Sequence, residues 1–213
     1  MTTSTSLDLS RLLPGFADPT RESQAVFRAI MNATARPGTI ADFSAAPTPP
    51  EGLNRAAGAA ALTLIDQDTP LWLDPTLCGR AVETWLRFHC TCPLVDAPAE
   101  AAFALIGDLE AMPDLGAFNQ GDAKYPDRAA TLIVMVPALD GGPILELRGP
   151  GIADVAHCAV QGLAPTFWSA RAELVAHFQY GIDLMLCAGD ALMALPRTTR
   201  VAPMGSDDTE QGG

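Results

Sequence analysis

The stretch DRAATLIVMVPAL, residues 127–139, decides the fold class. A polar start leads into a run that is apolar at nearly every position from Leu132 to Val136. A strand with one wet face alternates apolar and polar residues, so a continuous run of strand length predicts a strand buried on both faces. Such a strand needs cover on both sides, which points to helices packed on a sheet.

Reading outward, GIDLMLCAG (181–189) gives a second buried strand, and TPLWLD (69–74) a short strand entering a turn at Asp74-Pro75. GGPILELRGPGI (141–152) supplies a Gly-Gly turn, a strand alternating through Ile144, Leu145, Glu146, Leu147 and Arg148, and a Gly-Pro-Gly stop. ALMALPRTTRV (191–201) reads as an apolar strand or short extended segment ending in basic residues. Helices are predicted between these segments. In DPTRESQAVFRAIMNATARPG (18–38) Asp18 caps, Pro19 takes the first helical position, Val26, Phe27, Ile30 and Met31 form an apolar face, and Pro37-Gly38 ends the element. A second helix is expected from Asn54 to Ile65, with alanines and Gly58 allowing close approach. GRAVETWLRFHCTCP (79–93) places Val82, Trp85, Leu86 and Phe88 near one stripe, and PTFWSARAELVAHFQ (165–179) reads as a further helix. PAEAAFALIGDLEAMPDL (98–115) mixes strand-like and helix-like portions. The expected architecture is a single α/β domain over residues 1–200, with a mixed central sheet flanked by helices. A flexible acidic tail is expected over 201–213.

The chain has 213 residues, enough for a substantial core without disulfides or a structural metal. It is 48% hydrophobic, with 25 acidic against 13 basic residues and a net charge of -12. That field opposes nonspecific attachment to nucleic acid or anionic lipid, and any phosphate-bearing ligand would need a local arginine cluster or helix N-terminus. The apolar runs are too short for a membrane span, and the first residues lack a basic leader, so a soluble cytoplasmic protein is expected. The mean hydropathy of +0.17 suits a folded body that also offers an apolar surface to a partner.

Four arginines at punctuation points are candidate contacts for an anion or a partner: Arg36, Arg148, Arg197 and Arg200. Arg36 either complements the end of the first helix, hydrogen-bonding its terminal carbonyls, or grips a ligand. Arg148 either pairs with Glu146, two residues away on the same strand face, or reaches an anion beside the turn. Arg197 and Arg200, in LPRTTR (195–200), gather two cations and two hydroxyls, and either end a strand in solvent or meet phosphate or an acidic surface. No phosphate loop, dinucleotide fingerprint or acyl-transfer signature is present. Cys90-Thr91-Cys92 beside His89 is tighter than a zinc knuckle and reads as ordinary thiols, and Asp66 with Asp68 suits either a cation or a polar turn. No catalytic residue and no metal ligand is assigned.

Six fragments together, GFADPTRESQAVFRAIMNATARPGTI (15–40), LIDQDTPLWLDP (64–75), ATLIVMV (130–136), LELRGPGI (145–152), FQYGIDLML (178–186) and ALPRTTR (194–200), resemble the PhnH family, the H subunit of the bacterial carbon-phosphorus lyase system. The resemblance implies a fold similar to the large domain of pyridoxal-phosphate-dependent transferases but without the cofactor site. Lys124 is the only lysine, in the loop-like segment NQGDAKYPDR (119–128), and no second lysine could form the Schiff base. It also implies a homodimer that joins the G, I and J subunits in a core complex, with K and L associated functionally. With G, I and L this subunit would support transfer of a ribose triphosphate unit from ATP to an alkylphosphonate. Radical cleavage would belong to the J subunit and its iron-sulfur cluster, for which this chain has no cluster motif. The implied role is that of a non-catalytic or assembly subunit. The alternative is direct contact with nucleotide or phosphonate through the arginines.

Overall fold

The computed structural model describes residues 12–176 and 180–204. Chain order is α1 (Pro19–Ala35), β1 (Ile40–Asp42), α2 (Arg55–Leu64), β2 (Leu71–Leu73), α3 (Arg80–His89), β3 (Leu94–Val95), β4 (Phe103–Ile106), β5 (Thr131–Met135), β6 (Leu145–Arg148), β7 (Ala156–Cys158), α4 (Pro165–Ala176), β8 (Asp183–Ala188), β9 (Ala191–Leu195) and β10 (Arg200–Pro203). Seven strands form a mixed sheet in the order β1-β9-β8-β5-β4-β2-β3. The run from β8 to β3 is parallel, whereas β9 lies antiparallel to both β8 and β1.

The run that decided the fold class is β5, the central strand. Ile133 faces a core built with α1, α2 and α3, including Ile30, Ala57, Ala60 and Trp85. Leu132 and Val134, pointing the other way, join Leu145, Leu147 and Val201 of a second, three-stranded sheet and Phe167 and Trp168 of α4. Burial on both faces is why the strand needs no polar alternation. α2 approaches closely because its buried positions are alanines and Gly58, where an added Cβ would meet Pro49 Cβ at 2.8 Å. The hairpin from β8 to β9 turns on Gly189-Asp190, with Gly189 at φ +56, as a two-residue hairpin loop requires.

Local punctuation follows the sequence. Asp18 caps α1, accepting from Arg21 N at 3.1 Å, with Pro19 in the first turn. Glu22 reaches back to Asp18 N at 3.0 Å, completing a reciprocal cap. Asn54 caps α2, accepting from Ala57 N at 2.8 Å.

Four expectations need correction. First, ALMALPRTTRV is not one strand. β9 ends at Leu195, and after the Pro196–Thr199 turn the chain starts β10 in the other sheet. Proline lacks the ladder N–H, so it ends pairing in the first sheet. Second, the buried stripe of α1 is Val26, Ile30 and Ala33, while Phe27 and Met31 are 45% and 50% exposed. A single helix stripe is too narrow to bury all four large residues. Third, Val82, Trp85 and Leu86 of α3 are buried but Phe88 is exposed, lying edge-on to the His89 ring. Fourth, residues 201–203 belong to β10 and not to a tail; residues 205–213 lie outside the described residues.

Candidate functional site

The second sheet, ordered β10-β6-β7, is antiparallel throughout. Period-two alternation sends Leu145, Leu147, Cys158 and Val201 inward. The same alternation leaves Arg148, His157 and Arg200 exposed and Glu146 half-buried on the outer face. The register sets Arg148 directly opposite Arg200, and Glu146 opposite both Ala202 and His157.

Three turns stack at the end of this sheet. Gly149-Pro150-Gly151 lies between the turn at Arg36-Pro37-Gly38 and the turn at residues 196–199. A Cβ on Gly149 would stand 2.7 Å from Thr198 O. A Cβ on Gly151, at φ +83, would collide with Ala35 O. From the other side, Gly38, at φ +91, sits where a Cβ would approach Leu147 Cδ1 at 3.1 Å. Glycine is required here by close approach and by backbone sign together. Three segments far apart in sequence, each carrying one or more of the candidate arginines, are thereby held in contact.

The four arginines are not equivalent. Arg197 is committed internally: Nη2 and Nε donate to Asp183 at 2.6 and 3.2 Å, Nη1 donates to Pro126 O at 2.6 Å, and its backbone N–H donates to Asp183 Oδ1 at 2.7 Å. Arg148 has weak pairings, 3.5 Å to Glu146 and 3.8 Å to Asp154, whose side chain is 92% exposed. Among the described residues, the side chains of Arg36 and Arg200 make no hydrogen bond or ion pair, and both are exposed. Arg36 does cap α1, but through its backbone N–H to Asn32 O at 3.1 Å; its guanidinium does not meet the terminal carbonyls. The structure thus brings Arg36, Arg148 and Arg200 to the stacked turns as available cations and uses Arg197 as a brace.

One positioning residue went unnoticed in the sequence. Arg171 of α4 is 1% exposed, and its guanidinium donates to Thr199 O at 2.7 Å, Pro196 O at 2.8 Å and Leu195 O at 3.3 Å. Burial pulls its pKa down to about 10, with Asp183 and Cys158 opposing that shift, so it stays protonated at neutral pH. It clamps the turn that carries the chain from one sheet to the other. Helical spacing from Phe167 and Trp168 puts position 171 on the same buried stripe, which was the available signal.

The remaining candidates resolve into structure. Cys90 and Cys92 are buried, and burial pushes the Cys90 thiol up to about 12, which keeps it protonated. Cys90 Sγ donates to Ala61 O at 3.6 Å, and the His89 Nε2 lies 3.0 Å from Leu13 O. Among the described residues no group of three or more His, Cys, Asp or Glu side chains could hold a metal ion. Asp66 forms a polar turn, accepting from Thr69 Oγ1 at 2.6 Å and Asp68 N at 3.0 Å. Lys124 lies in an exposed turn with Nζ 5.0 Å from the Tyr125 ring centre, a ring that Arg128 also covers at 4.0 Å. Among the described residues no helix is long and apolar enough to cross a membrane. A groove lined by Phe16, Val26, Ala29 and Phe43, with Glu22 and Asp42, lies along α1 and carries no arginine.

The model of the bacterial phosphonate metabolism protein family PhnH matches residues 14–202. The chain is 45% identical over 186 residues to the alpha-D-ribose 1-methylphosphonate 5-triphosphate synthase subunit PhnH of Rhizobium meliloti, covering 87% of this chain and 93% of that one. It is also 32% identical over 187 residues to HtxG of Stutzerimonas stutzeri, named as a candidate C-P lyase subunit, covering 86% of this chain and 87% of that one. The match contains the seven-stranded sheet, all but the last residue of the second sheet, the stacked turns and all four candidate arginines, and the chain belongs to the PhnH family of bacterial phosphonate metabolism proteins.

Proposed function

We propose that this chain is a non-catalytic assembly subunit of the carbon-phosphorus lyase core complex. In the cytoplasm it works with the G, I and L subunits in making alpha-D-ribose 1-methylphosphonate 5-triphosphate from ATP and methylphosphonate. It acts as a homodimer within a complex that includes G, I and J, with K and L associated functionally; the radical step and its iron-sulfur cluster belong to J. The observation that carries this reading is the similarity over 87% of the chain to a relative named as a subunit of that synthase. The chemistry of the stacked turns supports it. Guanidiniums bind and orient anions but exchange no proton near neutral pH, so this face is suited to holding rather than to acid-base work. The layered mixed sheet is compatible with descent from the large domain of pyridoxal-phosphate transferases. On this reading Lys124, exposed over Tyr125, forms no cofactor aldimine.

The test is reconstitution. The chain co-expressed with the G, I and J subunits is expected to co-purify stoichiometrically on a tag carried by I. Cells lacking the chain are expected to lose growth on methylphosphonate as sole phosphorus source, and to regain it with the gene restored. Normal growth without the chain would overturn the reading. A second reading, direct contact with nucleotide or phosphonate, is supported by the in-register arginines Arg148 and Arg200. It predicts that ATP or methylphosphonate binds the isolated chain and that Arg148→Ala with Arg200→Ala removes that binding.

A further inference from the structure

We propose that the outer face of the second sheet, centred on Arg148 and Arg200, is the docking surface for an acidic segment of a partner subunit. This rests on the assembly reading above and assigns it a surface. The central observation is the register, which places two guanidinium-bearing residues directly opposite each other on one solvent face. Like charges in that position repel across the ladder, and among the described residues no strong counter-charge relieves them. Glu146 and Asp154 reach only Arg148, at 3.5 and 3.8 Å, and Arg200 has no partner among the described residues. Carboxylates from outside the chain would relieve the repulsion.

The surrounding charge favours a protein partner of opposite sign. The chain carries -12 overall, so an acidic surface is repelled almost everywhere except where cations are gathered and uncommitted. That contrast orients a partner as well as holding it. Small anions are less well served, because sites for them are concave and mostly enclosed. Arg148 and Arg200 stand on exposed strand positions of an open sheet face, with Arg36 exposed on the adjoining turn. The surface is also pre-organised. The glycine contacts at 149 and 151 lock the three turns together, and Arg171 holds the 195–199 segment through three carbonyls. Little backbone ordering is then left for binding to accomplish.

The experiment compares three forms of the full chain for binding to a purified complex of the G, I and J subunits. Arg148→Glu with Arg200→Glu is expected to weaken binding at least about tenfold. Arg28→Glu with Arg87→Glu, two exposed arginines on α1 and α3, makes the same change in net charge and is expected to keep near-wild-type affinity. Raising salt should weaken the wild type more than the Arg148/Arg200 variant. The milder Arg148→Gln with Arg200→Gln, checked by circular dichroism, gives the same comparison if the reversal disturbs folding. Equal loss in both glutamate variants would assign the effect to net charge and overturn the proposal, as would full affinity in the Arg148/Arg200 forms. ATP or tripolyphosphate binding to the isolated chain that disappears in the Arg148/Arg200 variant, with subunit binding intact, would overturn it in favour of a small-anion site. A wild-type chain that fails to bind the other subunits removes the assembly reading and this surface with it.

Discussion

Asp183 and Arg197 close the open end of the β8–β9 hairpin, with Arg197 Nη2 2.6 Å from Asp183 Oδ2 and the Arg197 backbone N–H 2.7 Å from Asp183 Oδ1. A carboxylate at the first residue of β8 thus fixes the chain just where it leaves the central sheet. Arg200, three residues on, has no such partner among the described residues. Two arginines within one short basic segment therefore have different employments.

Stability measurements should separate them. The Arg197 and Asp183 side chains are 19% and 30% exposed, so the pair is only partly screened by water. Arg197→Ala is expected to cost about 1 to 2 kcal/mol, because it leaves Asp183 with a single backbone donor. Arg200→Ala should stay within about 0.5 kcal/mol of wild type, and Arg36→Ala within about 1 kcal/mol. Urea unfolding of the three variants checks the order. An Arg200→Ala loss as large as that of Arg197→Ala would contradict the assigned roles.

Gly151 gives a test of the stacked turns. Alanine there must adopt φ +83 and must also displace Ala35 O and Pro37 Cδ, the latter at 3.2 Å from the new carbon. A cost of at least about 2 kcal/mol is expected. Gly116→Ala is the control, since nothing lies within 4 Å of its added carbon. If the two alanine variants unfold at the same urea concentration, the three turns are not in the contact described.

The difference in legibility between these features is physical. β5 and β8 could be read because burial on both faces demands apolar residues at nearly every position, a local signal. The caps at Asp18 and Asn54 were equally local. The break inside ALMALPRTTRV was not, because Pro196 to Thr199 reads as extended chain until one knows that two different sheets lie on either side. The opposition of Arg148 and Arg200 depends on the pairing of β6 with β10, and the stacking of residues 35, 151 and 198 depends on contacts between distant segments. Arg171 lies between these cases. Its place on the Phe167–Trp168 stripe was legible, but the three carbonyls it serves belong to a segment more than twenty residues away.

Arg171 should not tolerate even a conservative change. Its planar fork donates to carbonyls of Leu195, Pro196 and Thr199, a spread that a lysine ammonium on a flexible stem cannot span. Arg171→Met is expected to cost about 3 kcal/mol by leaving buried carbonyls without donors, and Arg171→Lys to recover less than half of that. Amide hydrogen exchange should show the loss concentrated in residues 195–203. A variant with Arg171→Lys as stable as wild type would mean that charge alone, and not the fork, holds the turn.

Asp74 supplies a prediction whose sign depends on pH. It is 1% exposed at the end of β2 and accepts from Asp108 N at 2.7 Å, Thr76 N at 2.8 Å, Thr76 Oγ1 at 2.9 Å and Gly107 N at 3.1 Å. Burial alone would raise its pKa, but these donors together outweigh burial and hold it below the ordinary carboxylate value. A carboxyl whose folded pKa is depressed contributes stability above its unfolded pKa, near 4, and loses that contribution as pH falls through the folded value. Asp74→Asn turns one acceptor into a donor facing the Gly107 and Asp108 amides, and at pH 7 it should cost about 2 kcal/mol. The gap between wild type and variant should narrow steadily as pH is lowered from about 5 to 3, because only the wild type must take up the proton. Urea unfolding at both ends of that range decides the matter: a gap that stays constant or widens in acid would show that Asp74 is not the ionised hub joining the ends of β2 and β4.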